Sequence, residues 1–247
     1  KSTMNMELQE VVSEIKKKEN KKVVLTIYRD KKSKDYTVKK SSVQLDTVSY
    51  KMKEKKIGYI AVSQFLENTG DQFDKAVTAL EKKGMKSLII DLRDNGGGLL
   101  NTCTKMVSRV IDKDKLIVYT KDKEGNKEEF KSDSGKTLDI PIIILVNGNT
   151  ASASEIMTGC LKDYGKATVV GTTTYGKGIV QNIMPLTDGS AIKFTIAKYY
   201  TPNGTDIHKK GIKPDVKVKM SDAQWKKAQT DEKADKQLKK AIELLEK

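Results

Sequence analysis

Arginine is scarce in this chain: of 47 basic residues in 247, only Arg29, Arg93 and Arg109 carry a guanidinium. A net charge of +14 would otherwise suggest nucleic acid or an anionic membrane, but base readout favours the planar, bidentate guanidinium over the lysine ammonium. The lysines run from one end of the chain to the other among acidic neighbours, which is a solvated coat and not a clustered footprint. Nucleic acid is therefore not an expected partner. Histidine is scarcer still. His208 stands alone in the turn-rich stretch NGTDIHKKG, where a surface position is expected, and no H-E-x-x-H or Cys/His cluster offers a metal site. Two cysteines, Cys103 and Cys160, are too few for a disulfide framework or a four-cysteine zinc site. No run of 18 apolar residues appears, and the opening KSTMNMELQEVV has no signal-peptide apolar core. A membrane anchor, if the protein has one, is expected outside this chain.

What is present is an ordinary globular composition, 37% hydrophobic and 32% charged, long enough for one large or two modest domains. Met4, Leu8, Val11, Val12 and Ile15 fall on one helical face, and VVLTIY and DYTVK read as two strands joined by a charged turn. This block, residues 1–45, is too small to bury a good core and looks like the end of a domain. From Ile57 the pattern alternates strand and helix: IGYIAVS, a helix over 71–83, SLIIDLR, a helix over 99–111, LIVYT, IPIIILVNG, a helix over 152–163, and ATVVG. Short continuous apolar strands between helices imply a sheet covered on both faces, hence an α/β core over 46–220. Beyond Gly171 the chain is rich in strands, with TDG and PNG turns. Residues 221–247 lack Gly and Pro and carry Leu238, Ile242 and Leu245 on one side, which predicts one terminal helix that packs against this chain or a second copy.

Three segments could carry chemistry. In DLRDNGGGLL (91–100) three glycines between a strand and a helix let backbone N–H groups approach an oxyanion, or else form a flexible connection. NTASASEI (149–156) puts serines where a strand end meets a helix N-terminus, a place suited to a nucleophile. Ser152-x-x-Glu155 also matches a capping box, in which the serine would only close the helix end. GTTTYGKG (171–178) resembles a phosphate loop, but Gly178 stands where a magnesium-binding hydroxyl is required and a strand follows where that loop needs a helix. Lys177 is either one more surface lysine or, held tightly between glycines and buried, a general base. With a single histidine, a serine nucleophile here would more readily pair with an amine than with an imidazole.

DLRDNGGGLL, TASASEI and TTYGKGIVQ, followed by DGSAIKFTIAKYYTPNGTDI and GIKPDV, together resemble the carboxyl-terminal processing peptidases, also called tail-specific proteases, over about residues 1–218. The resemblance implies a Ser-Lys endopeptidase with a crotonase-like or ClpP-like α/β core and a mixed sheet. It implies Ser152 as nucleophile, Lys177 as general base and Gln181 as the residue orienting it. The implied oxyanion hole uses the N–H groups of Ala153 and Gly97. Asp163 matches an acidic position expected to be structural. Ser152 and Ser154 lie two apart on a helix and cannot both face one site; the family spacing selects Ser152. The opening block is similar to the second half of a PDZ domain. No cofactor and no metal are implied, the substrate would be a polypeptide engaged by its C-terminal end, and the compartment would be extracytoplasmic. The contrasting expectation is a catalytically silent peptide-binding or scaffold protein that keeps the fold.

Overall fold

The computed structural model describes residues 2–17, 21–41, 44–133 and 137–246. Two compact units divide the chain, Lys1–Leu45 and Asp46–Lys247. In the first, helix α1 (Leu8–Lys16) precedes an antiparallel hairpin of β1 (Lys22–Arg29) and β2 (Lys32–Lys39). Asp30 and Lys31 both have positive φ, 52° and 59°, as a two-residue turn matched to strand twist requires. No residue of α1 is buried.

The second unit is built on a six-stranded mixed sheet. Its elements in chain order are β3 (Val48–Met52), β4 (Ile57–Val62), α2 (Thr69–Lys82), β5 (Ser87–Asp91), α3 (Leu100–Ser108), β6 (Leu116–Asp122), β7 (Lys127–Lys131), β8 (Ile142–Val146), α4 (Ala153–Asp163), β9 (Ala167–Gly171), β10 (Ile179–Pro185), β11 (Ala191–Tyr200), β12 (Val216–Lys217), α5 (Asp222–Ala228) and α6 (Lys236–Leu245). The large sheet runs β12-β9-β8-β5-β4-β3, all neighbours parallel except β3 against β4. A second, antiparallel sheet runs β10-β11-β6-β7.

Side-chain alternation along the parallel strands splits the core in two. Ile60, Val62, Leu88, Ile90, Ile142 and Ile144 belong to the cluster that also holds Phe73, Leu80, Met106, Ile156 and Met157 of α2, α3 and α4. Ile57, Ile89, Ile143, Leu145 and Val170 pack with Leu238 and Ala241 of α6. Both faces are thus covered, as the apolar runs predict. Burying each such side chain contributes about 1.5–3 kcal/mol.

Two expectations need correction. The terminal helix is broken into α5, a 3-10 turn over Glu232–Ala234, and α6. Asp231 caps the turn through Lys233 N–H, and Asp235 starts α6 by accepting from Gln237 and Leu238 N–H; a capping aspartate restarts a helix without any glycine or proline. Within α6, Leu238 is buried, and Ile242 and Leu245 pack partly buried against the second face of the sheet. Strands β3 and β7 also escape the sequence pattern. Both are edge strands, and KEEFK in β7 is nearly all charged, as edges that must resist pairing often are. Among the described residues no helix is long and apolar enough to cross a membrane.

Candidate active site

Adjacent parallel strands deliver their following loops to one edge of the sheet, outside their C-terminal ends, where open α/β sheets bind ligands. After β5 comes the turn 92–99, after β8 the loop 147–152, and after β9 the loop 172–178. The three candidate segments of the sequence are therefore neighbours by topology.

Ser152 sits at the mouth of α4 with φ 59° and ψ −119°. A non-glycine residue at positive φ is strained and persists only where its surroundings fix it. The fixing group is Glu155. Its carboxylate, wholly buried, accepts from Ser152 N–H (2.9 Å) and from Lys177 N–H (2.8 Å) on the same Oε2. Its Oε1 accepts from Gly176 N–H (2.6 Å) and the Thr174 hydroxyl (2.5 Å). The capping-box reading of Ser152-x-x-Glu155 captured half of this arrangement. The other half ties the lysine loop to the serine loop, and no local pattern reveals a partner nineteen to twenty-two residues away.

The glycine turn closes on Ser152 from the other side. At Gly97, φ +94°, a Cβ would lie 2.7 Å from Ala151 O, 2.8 Å from Ala153 N and 2.8 Å from Ser152 Cβ, so only glycine permits this approach. Gly97 and Ala153 are thus brought to Ser152, while Gly97 N–H donates to Asn95 Oδ1 at 2.9 Å. Asn95 is fully buried and organises the turn. Its carbonyl accepts from Ala151 N–H (3.0 Å) and the Ser154 hydroxyl (3.0 Å), and its Nδ2 donates to Val62 O (2.8 Å). Ser154 is therefore occupied in a buried bond, whereas Ser152 is only half-buried.

Lys177 differs from the buried lysine considered above: its side chain is exposed. The flanking glycines are the buried ones, because a Cβ on Gly176 would come within 3.0 Å of Lys210 N and Gly211 N, and one on Gly178 within 2.5 Å of His208 N. They seat the turn against residues 207–211 and leave the lysine outside. His208, expected at the surface, is half-buried against this turn, with a buried Nδ1 that has no hydrogen-bond partner among the described residues. Gln181 lies exposed on β10, opposite Thr195, beside a bulge between β10 and β11. Asp163 closes the far end of α4, where its Oδ2 accepts from the Thr201 hydroxyl (2.5 Å) and Asn203 N–H (2.8 Å). The thiols stand apart from the chemistry. Cys103 donates to Ala153 O at 3.2 Å, and burial pushes its pKa up to about 12.

A buried strand end opening into a glycine turn, a strained serine at a helix mouth and a lysine loop tied to it through Glu155 suit a serine hydrolase site. The profile of peptidase family S41 matches residues 56–218, and the chain belongs to that family of serine-type peptidases. It is 43% identical over 220 residues to a probable CtpA-like serine protease of Staphylococcus aureus (strain N315), covering 88% of this chain and 44% of that protein. It is 40% identical over 223 residues to the carboxy-terminal processing protease CtpA of Bacillus subtilis (strain 168), covering 90% of this chain and 48% of that one. The chain thus spans less than half the length of these relatives. Among solved structures, the photosystem II D1 C-terminal processing protease superposes with a TM-score of 0.66 at 29% identity, over 80% of this chain and 55% of that one.

Proposed function

We propose that this protein is an endopeptidase that cleaves polypeptides near their C-terminus through Ser152 and Lys177. In this mechanism Lys177 Nζ, as the neutral amine, takes the proton from Ser152 Oγ, which bonds to the scissile carbonyl carbon as the carbonyl electrons move to oxygen. The Ala153 N–H holds that oxyanion, joined by the Gly97 N–H once it leaves Asn95 Oδ1. Collapse breaks the C–N bond, the leaving amine takes the proton from Lys177, and water then attacks the acyl-enzyme with Lys177 again the base.

The single observation that carries the reading is the shared carboxylate oxygen of Glu155, which receives both Ser152 N–H and Lys177 N–H. A lysine serves as a base only as the neutral amine, which exclusion of water favours. An extended polypeptide laid over the exposed Tyr175 and Lys177 would exclude it. A second reading, a peptide-binding scaffold without turnover, draws on the same exposure and on the Gly97 N–H already bonded to Asn95.

Incubation with an unstructured polypeptide, with fragments mapped by mass, separates the two. Cleavage clustered towards the C-terminus and absent in Ser152→Ala supports the peptidase. Tight binding of the polypeptide with no fragments from the parent protein supports the scaffold.

A further inference from the structure

The oxyanion turn is gripped from a third direction that the mechanism does not use. Arg93, two residues before Asn95, is buried with its side chain 3% exposed, against 8% and 5% for its partners Asp91 and Asp235. Its Nε and Nη2 donate to Asp91 (2.9 and 2.5 Å), and its Nη1 donates to Asp235 (3.0 Å) and Gln237 (3.1 Å) of the C-terminal segment. The indole of Trp225 lies over the guanidinium at 4.4 Å, a cation–π contact. The same indole donates its Nε1–H to Asp94 Oδ2 at 2.8 Å.

Asp94 is where these contacts meet. It stands at φ 57°, a strained setting for a residue other than glycine. Its Oδ1 accepts from Asn147 (2.7 Å) and Asn149 (2.8 Å) of the serine loop. One carboxylate therefore joins the glycine turn, the serine loop and the C-terminal segment, and the next residue is Asn95, whose carbonyl and carboxamide hold Ala151, Ser154 and Gly97.

We infer that Trp225 is a positioning residue, and that the segment from Ser221 to Leu245 is a latch that sets the oxyanion turn against Ser152 by fixing Arg93 and Asp94. This rests on the Ser-Lys reading above and deepens it. A latch of this kind differs from general stabilisation in one way: loosening it should weaken binding of the tetrahedral species more than binding of substrate.

The test compares the parent with Trp225→Phe, which keeps a ring over Arg93 but loses the N–H donor, and with the isosteric Asp235→Asn. Peptide kinetics, affinity for a peptide boronate that forms a tetrahedral adduct with the serine, and melting temperature are measured on each. The expected result for Trp225→Phe is a kcat about tenfold lower, smaller than the loss from deleting an oxyanion donor itself. KM should stay within about twofold, and boronate affinity should fall by the same factor as kcat. Asp235→Asn should shift kcat and boronate affinity together in the same direction. Unchanged kcat in Trp225→Phe, or a kcat loss without a matching loss of boronate affinity, overturns the latch. A loss that vanishes when each variant is assayed equally far below its melting temperature overturns it as well. A parent that binds boronate no better than Ser152→Ala sinks the Ser-Lys reading instead.

Discussion

The two halves of the candidate site are built to opposite specifications. The serine half is rigid: Ser152 is held at a strained φ of 59°, Gly97 admits no side chain, and Asn95, Ser154 and Glu155 are all fully buried. The lysine half is open. Lys177 is exposed, and the β10–β11 hairpin it feeds leaves Ile183, Met184, Ile192, Phe194 and Ile196 at least 40% exposed. Strain can be stored only where surrounding contacts over-determine the backbone, so the proposed nucleophile and its glycine turn belong on the sheet edge. In the proposed mechanism the base acts once substrate has displaced water, so it can wait on a surface turn. Glu155 belongs to both halves, and Thr150 O, which accepts from Tyr175 N–H at 2.9 Å, joins them a second time.

The largest effect should come from emptying either half. Ser152→Ala and Lys177→Ala should each lower kcat by about 10⁴-fold or more, and the double variant should be no worse than either single, because the proposed dyad would act as one unit. Steady-state hydrolysis of a quenched peptide checks this. Clear turnover in Ser152→Ala, where Ser154 remains, would move the nucleophile.

Cutting the Glu155 link between the halves comes next. In Glu155→Gln one carboxylate oxygen becomes an NH₂ group, so either the Ser152 and Lys177 N–H groups or the Thr174 and Gly176 donors face a donor. Each of these donors left unpaired out of reach of water costs about 1–3 kcal/mol. Denaturant unfolding should show that loss, and kcat should fall with it. A variant that loses stability but keeps kcat would mean that Glu155 braces the fold without aligning the site.

The serine half should also be the more acid-sensitive. Partial burial disfavours the charge on Asp94, but hydrogen bonds from Asn149, Asn147 and Trp225, with the Arg93 charge, outweigh it and hold the carboxyl below the ordinary value of 3.8. A depressed folded pKa gives stability that is present above the unfolded value and lost as pH falls through the folded one. Unfolding curves of the parent and Asp94→Asn should therefore differ at pH 6 and converge progressively below pH 3.8. A constant gap down to the most acid pH would show that Asp94 acts by shape alone.

The smallest effect belongs to the open half. Phe194→Ser, on a side chain 40% exposed, should change stability by within about 1 kcal/mol, whereas Leu88→Ala in the buried strand β5 should cost about 2–5 kcal/mol. Equal losses would mean that the hairpin face is covered in solution.

What was legible in the sequence follows the same division. Parallel strands write continuous apolar runs, so SLIID and IIILV place the glycine turn and the serine loop at one sheet edge. Gly-Lys-Gly marked a close backbone approach correctly but not its direction: the glycines are buried and the lysine faces out. Long-range polar contacts leave no local trace. Glu155 reads as a helix cap, Asp94 as a turn residue and Trp225 as part of a terminal helix until the fold joins them across as many as 131 residues. The break between α5 and α6 was hidden because the aspartates that cause it look like any others in a charged helix.

The pairing of Ser152 with Lys177 is tested most directly by a fluorophosphonate label with the modified peptide mapped by mass. The folded protein should take one label at Ser152, Lys177→Ala should label far more slowly while keeping its melting temperature, and Ser154 should never be modified. A label on Ser154, or a Ser152 that reacts at the same rate without Lys177, would contradict that pairing.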